Sequence, residues 1–155
     1  MIRRSRRAGL TLVELIVAFT IMLILTTMAL PLARIKVRRE KERELRFALR
    51  EIRSSIDRYK DASDRGILPP GKLEGEGYPP DLQTMVDGVK KAGTVDTKIR
   101  FLRRIPRDPM IGRPEWGVRS VQDDPAAQSW GGQNVFDVYS KSMDTALDGT
   151  KYAEW

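Results

Sequence analysis

The sequence holds no cysteine and no histidine in its 155 residues. That excludes disulfides, thiol nucleophiles, imidazole bases and Cys/His metal centres, so any metal must be held by oxygen. No nucleophile elbow, phosphate loop or meaningfully spaced carboxylate pair occurs either, and a catalytic role is not expected. Acids are missing from residues 1–9, and glycine and proline from residues 33–65. What is present is unevenly spread. The formal charge is +7, and the nine-residue start MIRRSRRAG supplies +4 of it through four arginines. The length fits one small domain with an appendage.

Residues 10–32, LTLVELIVAFTIMLILTTMALPL, contain a single charge, Glu14. As a helix this stretch would be roughly 30 to 35 Å long, the thickness of a bilayer's hydrocarbon core. The short basic start places the N-terminus in the cytoplasm and the rest of the chain outside. A cleaved secretory signal fits less well, because the apolar run is long and Ala33 is followed at once by Arg34, Ile35 and Lys36. A plain single-pass anchor fits the span equally well.

Residues 33–65 are predicted to continue that helix. They are nearly all charged as far as Glu44, and from there Leu45, Ala48, Leu49, Ile52, Ile56 and Tyr59 recur at steps of three and four. Such spacing buries one face. Beyond Gly66 the texture is punctuated by Pro69, Pro70, Gly71, Gly75, Gly77, Pro79 and Pro80. Asp81 is the expected N-cap of a short helix from Leu82 to Val89, closed by Gly93. Phe101 to Pro109 reads as a short extended piece ending in turns, and Trp116 to Val121 and Val135 to Ser140 read as an antiparallel strand pair. The fold class is therefore α+β, a long N-terminal helix packed on a small antiparallel β-sheet domain. Its divisions are 1–9, 10–32, 33–65 and 66–155.

Glu14 is the anomaly. A carboxylate in a lipid-spanning helix costs about 2 to 3 kcal/mol, less near the headgroups. Either it stays hydrated at the interface or it meets a positive partner inside a water-free assembly. An α-amino group made by cutting before Leu10 would be such a partner. Supplied by a neighbouring subunit, it would fix the stagger between subunits, because every other register leaves the charge unpaired. Pro31 removes a hydrogen bond from the helix ladder and is expected to kink or loosen it.

Gly9-Leu10-Thr11-Leu12-Val13-Glu14-Leu15, after a basic leader and ahead of Pro31, closely resembles the class III signal of type IV pilins and type II secretion pseudopilins. Leu10, where phenylalanine is commoner, is the one departure. The resemblance implies cleavage between Gly9 and Leu10 by a prepilin peptidase, methylation of the new Leu10 amine, and assembly into a homo-oligomeric helical filament held by Glu14 and Leu10. Further along, Tyr78-Pro79, the short helix, Ile105-Pro106-Arg107-Asp108-Pro109 with Gly112, and Phe136-Asp137-Val138-Tyr139-Ser140 resemble the major pseudopilin of type II secretion. The resemblance then implies a periplasmic pseudopilus anchored in the inner membrane that drives protein export. Its partners would be the inner-membrane secretion platform and minor pseudopilins. A type IV pilus subunit serving adhesion, motility or DNA uptake is the alternative, and a plain membrane-anchored domain the second.

That family carries a calcium loop after the last motif, which here would draw on Ser140, Asp144 and Asp148. Two carboxylates and backbone carbonyls suit Ca²⁺, whereas Lys141 opposes it, and a solvated acidic loop fits the same residues. Arg100, Arg103, Arg104 and Arg107 raise the question of nucleic acid. The excess charge lies mostly in the leader, however, and charges alternate from Arg39 to Glu44, so a phosphate track is not expected.

Overall fold

A computed structural model describes residues 11–71, 75–94 and 97–155, the side chains of residues 28–32 excepted. The chain divides into two compact units, residues 1–38 and 39–155. Helix α1 (Leu12–Asp64) is followed by α2 (Leu82–Asp87), the two-residue strands β1 (Val89–Lys90) and β2 (Lys98–Ile99), then β3 (Trp116–Arg119), β4 (Asp137–Ser140) and a 3₁₀ turn at Tyr152–Glu154. The expected α+β arrangement of a long N-terminal helix and small antiparallel sheets is what forms.

The second unit is built on the α1 face read from the sequence. Leu45, Ala48, Leu49, Ile52 and Ile56 are all buried, and Tyr59 packs at their edge. Met85 of α2, Trp116 of β3, Val135, Val138 of β4, and Tyr152 complete the core. Each fully buried aliphatic or aromatic chain there contributes roughly 1.5 to 3 kcal/mol. Arg53 ties α1 to the sheet: its guanidinium donates to Asp137 Oδ1 at 2.7 Å, to the Val138 carbonyl at 3.0 Å and to the Trp155 carbonyl at 2.9 Å.

The two sheets are separate antiparallel pairs, β1 with β2 and β3 with β4. In the second, Trp116 faces Ser140, and Gly117 faces Tyr139. The Tyr139 ring lies so close over Gly117 that any Cβ there would collide with it. The Arg119 guanidinium also lies over that ring, 4.1 Å from its centroid. Both strands are shorter than expected. β3 stops at Arg119 because the Ser120 and Val121 amides turn to the side chains of Asp123 and Asn134.

Asp81 caps α2 as expected, its Oδ1 accepting from the Thr84 amide at 2.6 Å. The helix, however, ends at Asp87 rather than Val89, and Gly88 rather than Gly93 closes it. Gly88 has φ of 82° and donates to the Thr84 carbonyl, a left-handed stop that side chains resist. Val89 is thereby released to pair with Ile99. Residues 101–109 form no strand; the Phe101 and Leu102 amides both reach the Met85 carbonyl at 3.1 Å.

Candidate functional site

The first unit has no core of its own among the described residues. Leu12 is 76% exposed, Phe19 64% and Leu23 71%, and every large apolar side chain from 12 to 25 is exposed. These side chains point round the whole helix, so no single face could cover them. Its hydroxyls, by contrast, are satisfied internally. Thr20, Thr26 and Thr27 each donate to the carbonyl four residues back at 2.8 Å. A helix whose hydroxyls and backbone are bonded within itself can enter an apolar surrounding without leaving polar groups unpaired.

Glu14 is the exception. Its backbone amide donates to Thr11 Oγ1 at 3.3 Å, so Thr11-Leu12-Val13-Glu14 begins α1 with the threonine capping the glutamate three residues on. A carboxylate in the first turn is also favoured by the positive end of the helix dipole. The carboxylate itself is exposed and has no ion pair among the described residues. Gly9 and Leu10 lie outside the described residues. α1 runs on through Pro31. Among the described residues no helix is long and apolar enough to cross a membrane. The side chains described ahead of residues 28–32 run from 11 to 27, and the helical stretch from 12 to 27 is only about 24 Å long.

Residues 4–30 match the family model of the prokaryotic N-terminal methylation motif. The chain carries the class III prepilin signal of type IV pilin-like proteins. This signal implies processing by a prepilin peptidase and assembly into a filament, from a membrane-anchored precursor to a surface or periplasmic form. It supports a type IV pilin-like or pseudopilin subunit and does not distinguish between the two systems. No curated protein and no solved structure matches the chain.

In the rest of the chain, motifs that are separate in sequence are joined. Asp108 of the Ile105-Pro106-Arg107-Asp108-Pro109 segment is fully buried. Its Oδ2 accepts from Ser140 Oγ at 2.5 Å and its Oδ1 from the Met110 amide at 2.8 Å. The Gly112 amide donates to the Asp108 carbonyl at 2.7 Å, and Trp116 Nε1 donates to the Pro106 carbonyl at 2.9 Å. The Tyr78-Pro79 segment joins the same domain where the Val135 amide meets the Pro79 carbonyl at 2.8 Å.

Of Ser140, Asp144 and Asp148, the first and last are engaged by groups of the protein itself. The Ser140 hydroxyl is engaged inward with Asp108. Asp148 Oδ1 accepts from the Thr150 amide at 3.0 Å and hydroxyl at 2.6 Å, while its Oδ2 lies 3.6 Å from Arg46. Backbone oxygens of the loop are also engaged: Asp144 O accepts from the Tyr152 amide, Ala146 O from the Gly149 amide, and Thr150 O from the Ala146 amide. Among the described residues no three acids converge as a metal site. The Thr150 donors, with Arg46 beside them, hold the Asp148 carboxyl below the usual carboxylate range.

The loop is closed by side chains that sequence reading passed over. Glu42 Oε1 accepts from the Leu147 amide at 2.9 Å and from the Tyr152 hydroxyl at 3.0 Å. Arg46 lies 4.2 Å from the Trp155 ring centroid, and Trp155 Nε1 donates to Thr150 Oγ1 at 2.7 Å. Glu42 and Arg46 are one turn apart on α1, the available signal in a segment read only as alternating charge.

Proposed function

We propose that this chain is a non-catalytic structural subunit of a periplasmic type II secretion pseudopilus. The observation that carries the reading is the first unit: an apolar helix covered by nothing of its own, with one unpaired acid, inside a matched prepilin signal. A prepilin peptidase cuts between Gly9 and Leu10 and methylates the new amine. The stretch 10–32 rests in the inner membrane until subunits leave it for a filament, whose core then covers the same apolar surface. Glu14 pairs there with the Leu10 amine of a neighbour, and an acid left without that amine in an apolar core penalises every other stagger. Pro31, short of one backbone donor, lets the helix adjust as subunits pack.

The secretion branch is favoured by the way the second unit is secured. The segments that resemble the major pseudopilin meet at the Asp108–Ser140 bond and at Pro79, which gives those residues a joint structural purpose. The chain's charged α1 turns around Arg38 to Glu44 face neighbouring subunits outside the filament core. Filament growth, powered from the cytoplasm by the secretion platform and started by minor pseudopilins, moves cargo.

The test is the intact mass of membrane-extracted protein from cells with and without prepilin peptidase, followed by secretion and surface-pilus assays in a strain lacking the gene. Peptidase-dependent loss of residues 1–9 with one added methyl group, and a secretion defect without loss of surface pili, is the expected result. Loss of surface pili with normal secretion assigns the chain to a type IV pilus instead. A mass that retains Met1 in both strains leaves a plain membrane-anchored domain.

A further inference from the structure

A groove of about 850 Å³ runs between α1 and the loop after β2. Phe47, 63% exposed, together with Ile105 and Pro106 gives it an apolar floor. Its walls carry opposite charges, Glu44 and Glu51 on the helix and Arg104 and Arg107 on the loop. None of these four side chains has an ion pair or hydrogen bond among the described residues. The loop is firmly set, through buried Leu102 and Asp108 and the Trp116–Pro106 bond, so the arginines are presented by a fixed backbone.

Elsewhere on the same unit is a projection of matching character. Met143 is 81% exposed, with Lys141 before it and Asp144 after it. Neither of those charged side chains has a partner among the described residues. This loop is fastened to α1 at Glu42 and Arg46, whereas the groove is built on Glu44, Phe47 and Glu51. At about 100° per residue, the two sets lie roughly 150° apart round the helix. A copy therefore cannot seat its own Met143 in its own groove, and a second copy can.

We propose that the Met143 loop of one subunit docks in the groove of the next, resting on the filament reading above. Met143 covers Phe47, Ile105 and Pro106; Asp144 meets Arg104 and Arg107, and Lys141 meets the Glu44 and Glu51 wall. Because projection and groove are different surfaces, the contact is head-to-tail and repeats in one sense, which yields an open filament unless the rotation closes a ring. The apolar contact supplies affinity, and the opposed walls fix which way round the loop enters.

The absence of cysteine gives a clean background for the test. The full chain carrying Phe47→Cys with Met143→Cys is assembled in cells that hold the peptidase and secretion platform, and the filaments are oxidised. Dimers, trimers and higher species are expected from the double variant and no ladder from either single variant. Both altered positions are exposed, and thermal melting checks that the domain stays folded. Adding Arg104→Asp and Arg107→Asp should abolish the ladder, and Asp144→Arg should restore it. Filaments that assemble without a ladder, or that stop at dimers, overturn this interface and leave the filament reading standing. A correctly folded double variant and a wild-type chain that both form no filament overturn that reading, and the interface falls with it.

Discussion

Two stretches of the single helix α1 have opposite fates. From Leu45 to Ile56 the residues at steps of three and four, Leu45, Ala48, Leu49, Ile52 and Ile56, fall on one face and are buried, Leu45, Ile52 and Ile56 completely, while Phe47, off that face, stays exposed. From Leu12 to Leu25 apolar residues occur all round, and Ile16 remains 55% and Val17 51% exposed. Burial follows periodicity rather than apolar content, because a helix with one apolar face can be covered by a single domain and a helix apolar all round cannot. The stretch 45–56 stabilises the folded unit it belongs to, and the stretch 12–25 is left for a bilayer or a bundle of its own kind to cover.

The sharpest way to separate the stretches is Glu14→Ala. We expect it to reduce sedimentable filaments about tenfold or more, the effect of losing some 1.4 kcal/mol or more of register preference per contact. The melting temperature of the second unit should stay unchanged. Filaments at the wild-type level in pelleting assays would remove Glu14 from the account of assembly.

Next comes a matched pair of the same chemical change, Ile52→Ala and Ile16→Ala. Ile52 is fully buried, so its truncation leaves a cavity and should cost about 2 to 5 kcal/mol of domain stability. Ile16→Ala should leave denaturant unfolding of the domain unaltered and weaken only assembly. Equal destabilisation by the two substitutions would break the comparison.

The sequence made the α1 core face legible because the period of 3.6 is imposed by the helix itself, whatever packs against it. The Asp81 cap and the β3–β4 pairing were legible for the same local reason. The stop at Gly88 was missed because Val89 continues the apolar pattern, and only its pairing with Ile99 shows that the backbone has turned. The loop closure by Glu42, Arg46, Tyr152 and Trp155 was not legible. Its contacts cross about a hundred residues, Glu42 to Tyr152 among them, and carry no spacing signal. Ser140 and Asp108 were each singled out as parts of motifs, but nothing in either motif says that they bond to each other. Gly9 and Leu10, legible as a cleavage site, lie outside the described residues.

That closure predicts a middle-sized effect. Glu42→Ala removes the acceptor of both the Leu147 amide and the mostly buried Tyr152 hydroxyl, and should cost about 1 to 3 kcal/mol. Chelation by EDTA should leave the melting temperature where it was, since the Ser140 hydroxyl and the Asp148 carboxylate are engaged within the protein. A chelator-sensitive melt restored by Ca²⁺ would show instead that the loop opens to take the ion.

The smallest expected effect concerns pH. The Thr150 hydroxyl and amide lower the Asp148 carboxyl from its ordinary value of 3.8; burial opposes them less strongly, and the nearby Arg46 guanidinium adds a still smaller lowering. A carboxyl lowered on folding contributes stability that is complete above its unfolded value and is lost as pH falls through the folded one. Asp123 behaves alike, held down by the amides of Ser120 and Gly131. In melts at a series of pH values, Asp148→Asn should therefore differ from the wild type near neutrality and converge with it under acid. Ile52→Ala should stay less stable than the wild type at every pH, because its cavity does not titrate. If the Asp148→Asn difference instead widened below pH 3, the carboxyl would be favoured by the fold in its protonated form, and Thr150 would be accepting rather than donating.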